Sequence, residues 1–202
     1  MKHNHNSSLH NSPKTVLIAP LDWGLGHATR CIPIIKELIS KEFKVIVAAS
    51  GKPYQLLKAE FPGLNFLTID NYNISYSKDR ARFSVKLLSQ FVKISNTIQK
   101  ERRWISSLLK KQKIDILISD NRPGLVHPSV HCIYITHQVN IETGNNITNL
   151  IVNKIHHNFI RKFDQCWIPD SESNGLSGKL SHPVSSKINA QYINPLSRFT
   201  LI

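Results

Sequence analysis

Acidic residues are scarce in this sequence of 202 residues, which has 13 Asp and Glu against 26 Lys and Arg and a formal net charge of +13. Such an excess favours an anionic partner, such as nucleic acid, phosphate groups or an anionic membrane surface, although a solvated basic surface has the same composition. Few aromatic residues are interleaved with the basic ones, and no nucleic-acid-binding motif is present. We therefore expect no nucleic-acid partner.

Cysteines and long apolar runs are also scarce. The three cysteines, Cys31, Cys132 and Cys166, are far apart and odd in number, which excludes a disulfide framework and a zinc motif and fits a reducing compartment. No apolar run approaches the ~18 residues of a membrane-spanning helix. The N-terminal run MKHNHNSSLHNSPK lacks the hydrophobic segment of a secretory signal. We therefore expect a cytoplasmic protein with a disordered tail over residues 1–13.

Short apolar runs alternate with helical patterns along the rest of the chain. The runs predict seven strands, at residues 14–20, 43–50, 64–70, 114–120, 131–137, 164–170 and 189–195. Helical patterns lie between most of them, beginning with residues 29–40, where Pro33 is expected in the first turn. This alternation predicts an α/β protein with a Rossmann-like, doubly wound parallel sheet, spanning residues 14–194 as a single domain.

Ligands of such sheets bind beyond the carboxyl ends of the strands. The loops that follow the first, fourth, fifth and sixth strands read LDWGLGHATR, DNRPG, HQVNIETGNN and DSESNGLSGK. All four are polar, and they hold glycines, histidines and carboxylates. From these loops we select the candidate substrate-binding residues Gly24, Leu25, Gly26, Arg122 and His137.

Gly24 and Gly26 match the first two glycines of a dinucleotide-binding fingerprint, but Thr29 stands where the third glycine belongs. The second strand ends in VAASG and lacks the acidic residue that such a site places there. A nicotinamide-dependent oxidoreductase is therefore the weakest alternative, and we expect neither a cofactor nor a metal. The glycines would still let a ligand approach the backbone at the start of the next helix, where the helix dipole favours phosphate or hydroxyl groups.

His27 lies in this turn, where its imidazole can take a proton from a hydroxyl group. Such a base works better when a carboxylate holds its other nitrogen, and Asp120, at the end of the fourth strand, is the first candidate for that role. Asp22 is a second candidate. The alternatives are structural: His27 caps a tight turn, Asp120 forms an Asx turn, and His137 is a satisfied structural histidine.

The residues that follow the first strand, GLGHATRCIPI, and a later strand that ends in SD resemble the N-terminal half of a GT-B glycosyltransferase. The glycine loop resembles that of the peptidoglycan GlcNAc transferases of family 28, and its GH…P element is similar to the start of family 1 glucosyltransferases. Pro33 follows His27 by six residues rather than the three of family 1. Near the C-terminus, LSGKLSHP and YINPLSRF resemble the approach to the interdomain linker, with Asn194 in place of a glycine. The resemblance covers residues 14–199.

This resemblance implies the acceptor-binding half of an inverting glycosyltransferase that uses a nucleoside-diphosphate sugar donor. His27 then corresponds to the general base and Asp120 to the residue that orients it. The acceptor is a lipid or a small molecule, and residues 195–202 begin a linker to a donor domain. The alternative is a non-catalytic subunit of a split glycosyltransferase, which binds the acceptor or a membrane while a separate donor subunit completes the enzyme.

A long amphipathic segment, residues 80–111, carries Lys86, Lys93 and Lys100 at intervals of seven, which places them on one helical face. A core-packed helix with a solvated basic face explains this pattern. The alternative is peripheral docking on the inner, anionic face of a membrane, which would suit an enzyme with a lipid acceptor.

Overall fold

The computed structural model describes residues 12–72 and 83–197, and for residues 83–92 it describes the backbone alone. Most of the predicted tail (1–13), most of the predicted linker (195–202) and the side chain of Lys86 lie outside the described residues. The domain boundaries at 14 and 194 therefore stay predictions.

Seven parallel strands form one sheet in the order β3-β2-β1-β4-β5-β6-β7. The strands are β1 (Thr15–Pro20), β2 (Lys44–Ala49), β3 (Asn65–Thr68), β4 (Ile116–Asp120), β5 (His131–Ile135), β6 (Gln165–Ile168) and β7 (Ala190–Tyr192). The chain winds outwards from β1 to β3 and then returns to place β4 on the other side of β1. This confirms the predicted fold class, and it puts the switch point of the topology between β1 and β4.

Helices cover both faces of the sheet. They are α1 (Leu25–Ser40), α2 (Gly51–Glu60), α3 (Phe83–Leu109) and α4 (Asn146–Ile160), and a short 3₁₀ turn follows at Gly178–Leu180. Successive residues of a strand point to opposite faces, so β1 contributes Val16 and Ile18 to one core layer and Leu17 and Ala19 to the other. The central strands are buried on both faces, as their continuous apolar runs predict.

The two core layers hold different helices in place. Residues of α1 and α2, including Ile32, Ile35 and Leu57, pack in the layer with Val16. Ile105 of α3 and Ile160 of α4 pack in the opposite layer. The first turn of α1 is thereby held against the carboxyl end of β1, which is the edge where the candidate site lies.

Helix α1 begins at Leu25, four residues earlier than the apolar spacing predicts. The three residues Leu25, Gly26 and His27 are therefore in the first helical turn rather than in a loop, and Pro33 is inside the helix rather than in its first turn. The two glycines, poor helix formers, hide this start in the sequence. Pro33 has no N–H to donate to the carbonyl of Thr29, and burial of the surrounding helix against the sheet offsets that loss.

Candidate active site

The turn between β1 and α1 leaves backbone open to a ligand. Gly24 caps the helix with φ of 80° and ψ of −179°, a backbone conformation that is almost restricted to glycine. A Cβ atom at Gly24 or at Gly26 would meet no atom within 4 Å. No side chain caps the helix, and its first turn holds no acidic residue. The amide groups at this N-terminus are therefore available to an electron-rich group.

Asp120 is the last residue of β4 and pairs in register with Pro20, the last residue of β1. This register brings its carboxylate to the start of α1, where Oδ1 lies 3.1 Å from Nδ1 of His27. The Asp120 side chain is completely buried, whereas the His27 side chain is 13% exposed. The structure thus brings the two predicted residues together, with the carboxylate on the protein side and the imidazole on the solvent side.

Arg30 is the third member of this cluster, and it was not among the residues predicted from the sequence. Its Nε donates to Oδ2 of Asp120 at 2.7 Å, and its Nη2 donates to Oδ1. Nη1 lies 2.9 Å from Nδ1 of His137, so one guanidinium joins the ends of β4 and β5 to α1. Residues three apart share a helical face, so the spacing of Arg30 from His27 was the available signal.

The charges in the cluster keep Asp120 ionised. Burial alone would raise the pKa of Asp120, but Arg30 and His27 outweigh it and lower that pKa below its ordinary value. Burial likewise opposes the charge of Arg30, and Asp120 reverses this effect and raises the pKa of the guanidinium. The buried carboxylate is thus a fixed negative charge compensated by a fixed positive one.

This pairing decides where His27 carries its proton. Nδ1 of His27 has two close polar neighbours, Arg30 Nη2, which only donates, and Asp120 Oδ1, which only accepts. The ionised oxygen of Asp120, at 3.1 Å, would repel a lone pair on Nδ1 and attracts a proton there. We assign the proton to Nδ1, where Asp120 accepts it, and this assignment leaves the lone pair of the neutral ring on Nε2. An imidazole in this form is able to accept a proton at Nε2.

A cleft opens next to this cluster. Gly26, Thr29 and Arg30 of α1 line one side, and the loops after β5 and β6 line the other with His137, Asp170 and Ser177 among their residues. His137 lies two residues beyond the end of β5, in the loop rather than in the strand. Leu25, the remaining residue of the predicted turn, is 46% exposed. The same edge of the sheet thus holds six of the predicted site residues: Gly24, Leu25, Gly26, His27, Asp120 and His137.

The Asp170 carboxylate organises the far wall of the cleft. It accepts hydrogen bonds from the amides of Ser171, Leu176 and Ser177 and from the hydroxyl of Ser181. Burial alone would raise the pKa of Asp170, but these hydrogen bonds lower it well below its ordinary value. Its oxygens are occupied by the protein, so Asp170 shapes the loop and is not a free base.

The position of Arg122 differs from our prediction that this residue binds substrate. Its side chain is completely buried and contacts protein groups, donating from Nε to the carbonyl of Pro20 at 3.0 Å and from Nη1 to Glu101 Oε1 at 2.7 Å. The chain turns inwards after Asp120, which places Arg122 beneath the strand ends instead of in the cleft. Asp22, the second candidate acid, lies near this guanidinium, with Oδ1 4.0 Å from Nη2. Neither residue belongs to the His27 cluster.

Metal ligation has no geometric support in the described part of the chain, which contains no group of three or more His, Cys, Asp or Glu side chains arranged to hold an ion. Within the same residues, no helix is long and apolar enough to cross a membrane.

Comparison with known families identifies the chain. The family model for glycosyl transferase family 1 matches residues 19–163, which include the end of β1, the His27 cluster and α4. The chain belongs to glycosyl transferase family 1. No curated protein matches it by sequence.

Solved structures of GT-B glycosyltransferases share the fold of this family 1 chain. It is similar to Phytolacca americana UGT2, complexed with UDP-2-fluoro-glucose and pterostilbene, at 12% identity and a TM-score of 0.59, covering 92% of this chain and 54% of that one. It is also similar to Acinetobacter baumannii MurG, at 14% identity and a TM-score of 0.51, covering 87% of this chain and 44% of that one. The chain thus spans about half the length of these enzymes, and its fold is that of the N-terminal half of GT-B glycosyltransferases.

Proposed function

We propose that this chain is the acceptor-binding half of an inverting glycosyltransferase with a nucleoside-diphosphate sugar donor. The observation that carries the proposal is the contact of His27 Nδ1 with Asp120 Oδ1 at 3.1 Å, because it leaves Nε2 of this partly exposed side chain as the base. Membership of glycosyl transferase family 1 supports the reaction class. The Phytolacca enzyme's complex with a UDP-sugar analogue suggests the class of donor.

In the proposed mechanism, Nε2 of His27 takes the proton of an acceptor hydroxyl as its oxygen attacks the anomeric carbon of the donor sugar. The new carbon–oxygen bond forms on the face opposite the leaving group, so the configuration inverts. The bond from the anomeric carbon to the diphosphate breaks, and its electron pair leaves with the nucleoside diphosphate. Asp120 stabilises the positive ring that results. Helix dipoles and backbone amides of a donor domain would balance the charge of the leaving diphosphate without a metal.

The substrate-binding roles follow the geometry of the cleft. The backbone of Gly24, Leu25 and Gly26 would approach the acceptor, and His137 would contact it from the opposite wall. The acceptor is a lipid or a small molecule. Because the chain spans about half of the similar enzymes, a donor-binding domain, in this protein or in a separate subunit, would supply the nucleotide site.

The test is a transfer assay on a chimera in which a GT-B donor domain follows residue 199. Donors are labelled nucleoside-diphosphate sugars, and acceptors are lipid extracts and small alcohols. We expect transfer by the chimera and a loss of roughly 10²–10⁴-fold in His27→Ala, the range typical of general acid–base catalysis. His131→Ala is the matched control, because His131 begins β5 at the opposite edge of the sheet and is exposed. A folded His27→Ala chimera with full activity would refute the base assignment.

A second candidate function is a non-catalytic subunit of a split glycosyltransferase that binds an anionic membrane surface and a donor subunit. The observation that favours it is the basic face of α3, where Lys93, Lys100 and Arg103 are exposed. It predicts that the chain binds vesicles of anionic lipid, that salt weakens this binding, and that a stable partner copurifies from native extract. Binding to neutral and anionic vesicles alike, or to neither, would contradict the membrane role.

A further inference from the structure

Arg30 contacts every polar side chain of the cluster around His27. It donates twice to Asp120, its Nη2 lies against His27, and its Nη1 lies 2.9 Å from Nδ1 of His137. Its side chain is 11% exposed, and it lines the cleft that His137 also lines. Arg30 thus lies at the junction of α1, β4 and β5. Its contacts place it to control the proton positions of the neighbouring imidazoles.

The chemistry of guanidinium makes its contact with His137 directional. Arginine has only donor groups, so the nitrogen that faces Nη1 accepts, and Nδ1 of His137 must hold a lone pair. A neutral imidazole with a lone pair on Nδ1 carries its proton on Nε2. Burial lowers the pKa of His137, and the positive charge of Arg30 and the proximity of His27 lower it further, which favours the neutral ring.

We propose that Arg30 is a positioning residue that fixes the proton of neutral His137 on Nε2, so that this nitrogen donates a hydrogen bond to a substrate oxygen in the cleft. The part concerning the substrate rests on the proposed function. The buried ion pair of Arg30 and Asp120 thereby fixes opposite tautomers in His27 and His137. Asp120 holds the proton of His27 on Nδ1 and leaves Nε2 basic, whereas Arg30 holds the lone pair of His137 on Nδ1 and leaves Nε2 a donor.

The first test measures the tautomer directly, without substrate or activity. Nitrogen NMR of the full chain labelled with ¹⁵N-histidine distinguishes protonated from unprotonated ring nitrogens, and His137→Gln and His27→Gln assign the signals. We expect His137 in the unmodified chain to carry its proton on Nε2 at neutral pH. In Arg30→Met, where no donor faces Nδ1, we expect a mixture of the two tautomers.

Either of two results overturns the positioning role: a proton on Nδ1 of His137 in the unmodified chain, or an unchanged tautomer in folded Arg30→Met. If Arg30→Met fails to fold because Asp120 is left unpaired, the double variant Arg30→Met, Asp120→Asn removes both charges and allows the same measurement. His131, exposed at the opposite edge of the sheet, is the internal control, and its signals should not change in either variant.

The second test uses two amides that imitate different ring nitrogens in the active chimera. The Gln amide nitrogen reaches the position of Nε2, and the Asn amide nitrogen the position of Nδ1. We expect His137→Gln to keep at least about tenfold more kcat/KM than His137→Asn, the equivalent of one hydrogen bond. Equal activities, or a better Asn variant, would overturn the donor role. If the parent chimera transfers no sugar, the proposed function fails, while the NMR measurement still decides the position of the proton.

Discussion

Arg30 and Asp120 form a side-on ion pair in which Nε donates to Oδ2 at 2.7 Å and Nη2 donates to Oδ1. The two residues are 90 positions apart in the sequence. They meet because Pro20 and Asp120 pair in register and α1 starts immediately beyond β1. Two aligned hydrogen bonds make this a strong form of ion pair, and complete burial of Asp120 makes the carboxylate depend on it.

Replacing Arg30 with Leu should lower the free energy of unfolding by about 3–5 kcal/mol, because the buried Asp120 carboxylate loses its positive partner. Urea denaturation followed by circular dichroism measures the change. The double variant Arg30→Leu, Asp120→Asn should recover part of the loss, since no charge remains unpaired. Arg103→Leu, on the exposed face of α3, is the control and should change stability by no more than about 0.5 kcal/mol. Strictly additive single and double variants would contradict the coupling.

The two glycines of the β1–α1 turn should respond differently to alanine. Gly24→Ala should cost about 1–3 kcal/mol of stability, because its φ of 80° with ψ of −179° strains any residue with a Cβ. Gly26→Ala should fold with unchanged or slightly higher stability, since the added methyl meets no atom within 4 Å and alanine favours helix. In the chimera, however, Gly26→Ala should reduce transfer, because the methyl group takes space in the cleft. Full activity of Gly26→Ala would show that no ligand approaches there.

Arg122→Met should destabilise the fold by about 3–5 kcal/mol, because it leaves the buried Glu101 carboxylate without its cation. The side chain is completely buried, so the loss should be seen in urea denaturation of the chain without substrate. Arg102→Met on the same helix as Glu101 is the comparison, with a half-buried side chain and a smaller expected effect. A stable Arg122→Met that loses only substrate binding would restore the role that the sequence suggested.

Gly124→Ala should also destabilise the fold, by about 1–3 kcal/mol through overpacking. A Cβ at this position would lie 2.5 Å from Glu101 Oε2 and 2.6 Å from the carbonyl oxygen of Ile98, so α3 would have to shift. Gly63→Ala is the matched control, since a Cβ there meets nothing within 4 Å. Equal thermal stability of the two variants would mean that α3 and the loop after β4 are packed less closely than these distances indicate.

The stability of the fold should fall as the pH is lowered from about 7 to about 4. Desolvation by the surrounding protein lowers the pKa of His156 to about 4, against an ordinary value of 6.5. Between these values the unfolded chain binds more protons than the folded one, so the free energy of unfolding decreases as the pH falls through this window. His156→Gln keeps a donor for the carbonyl of Gln138 and removes the proton, so it should flatten the dependence. An equal slope of unfolding free energy against pH in both proteins would contradict this assignment.

The strands could be predicted from the sequence because each central strand is a continuous apolar run between polar loops, as in β1 and β4. The pairing of β4 with β1 is the usual topology of doubly wound sheets. The start of α1 could not be predicted in the same way, because Gly24 and Gly26 give no helical signal and it is tertiary packing, with Ile32 and Ile35 against the sheet, that holds α1 in place.

The candidate site was predicted in part. His27 and Asp120 were selected because His27 follows one strand and Asp120 ends another. The pattern of strands in the sequence predicts that both positions lie at the same edge of the sheet. Position at this edge did not predict the partners of Arg122 and Arg30. Arg122 lies two residues after Asp120, and Arg30 lies three residues after His27. These positions do not indicate that Arg122 binds Glu101 and that Arg30 binds Asp120.

The alternating elements, the parallel sheet and the edge at which polar side chains gather could be predicted from the chain alone, because they depend on local periodicity and on covalent order. Which charges meet depends on the folded core. Burial makes an unpaired ion costly, so the buried Asp120 carboxylate needs a cation, and the fold brings Arg30 to it. The positions of the protons on His27 and His137 follow from this pairing.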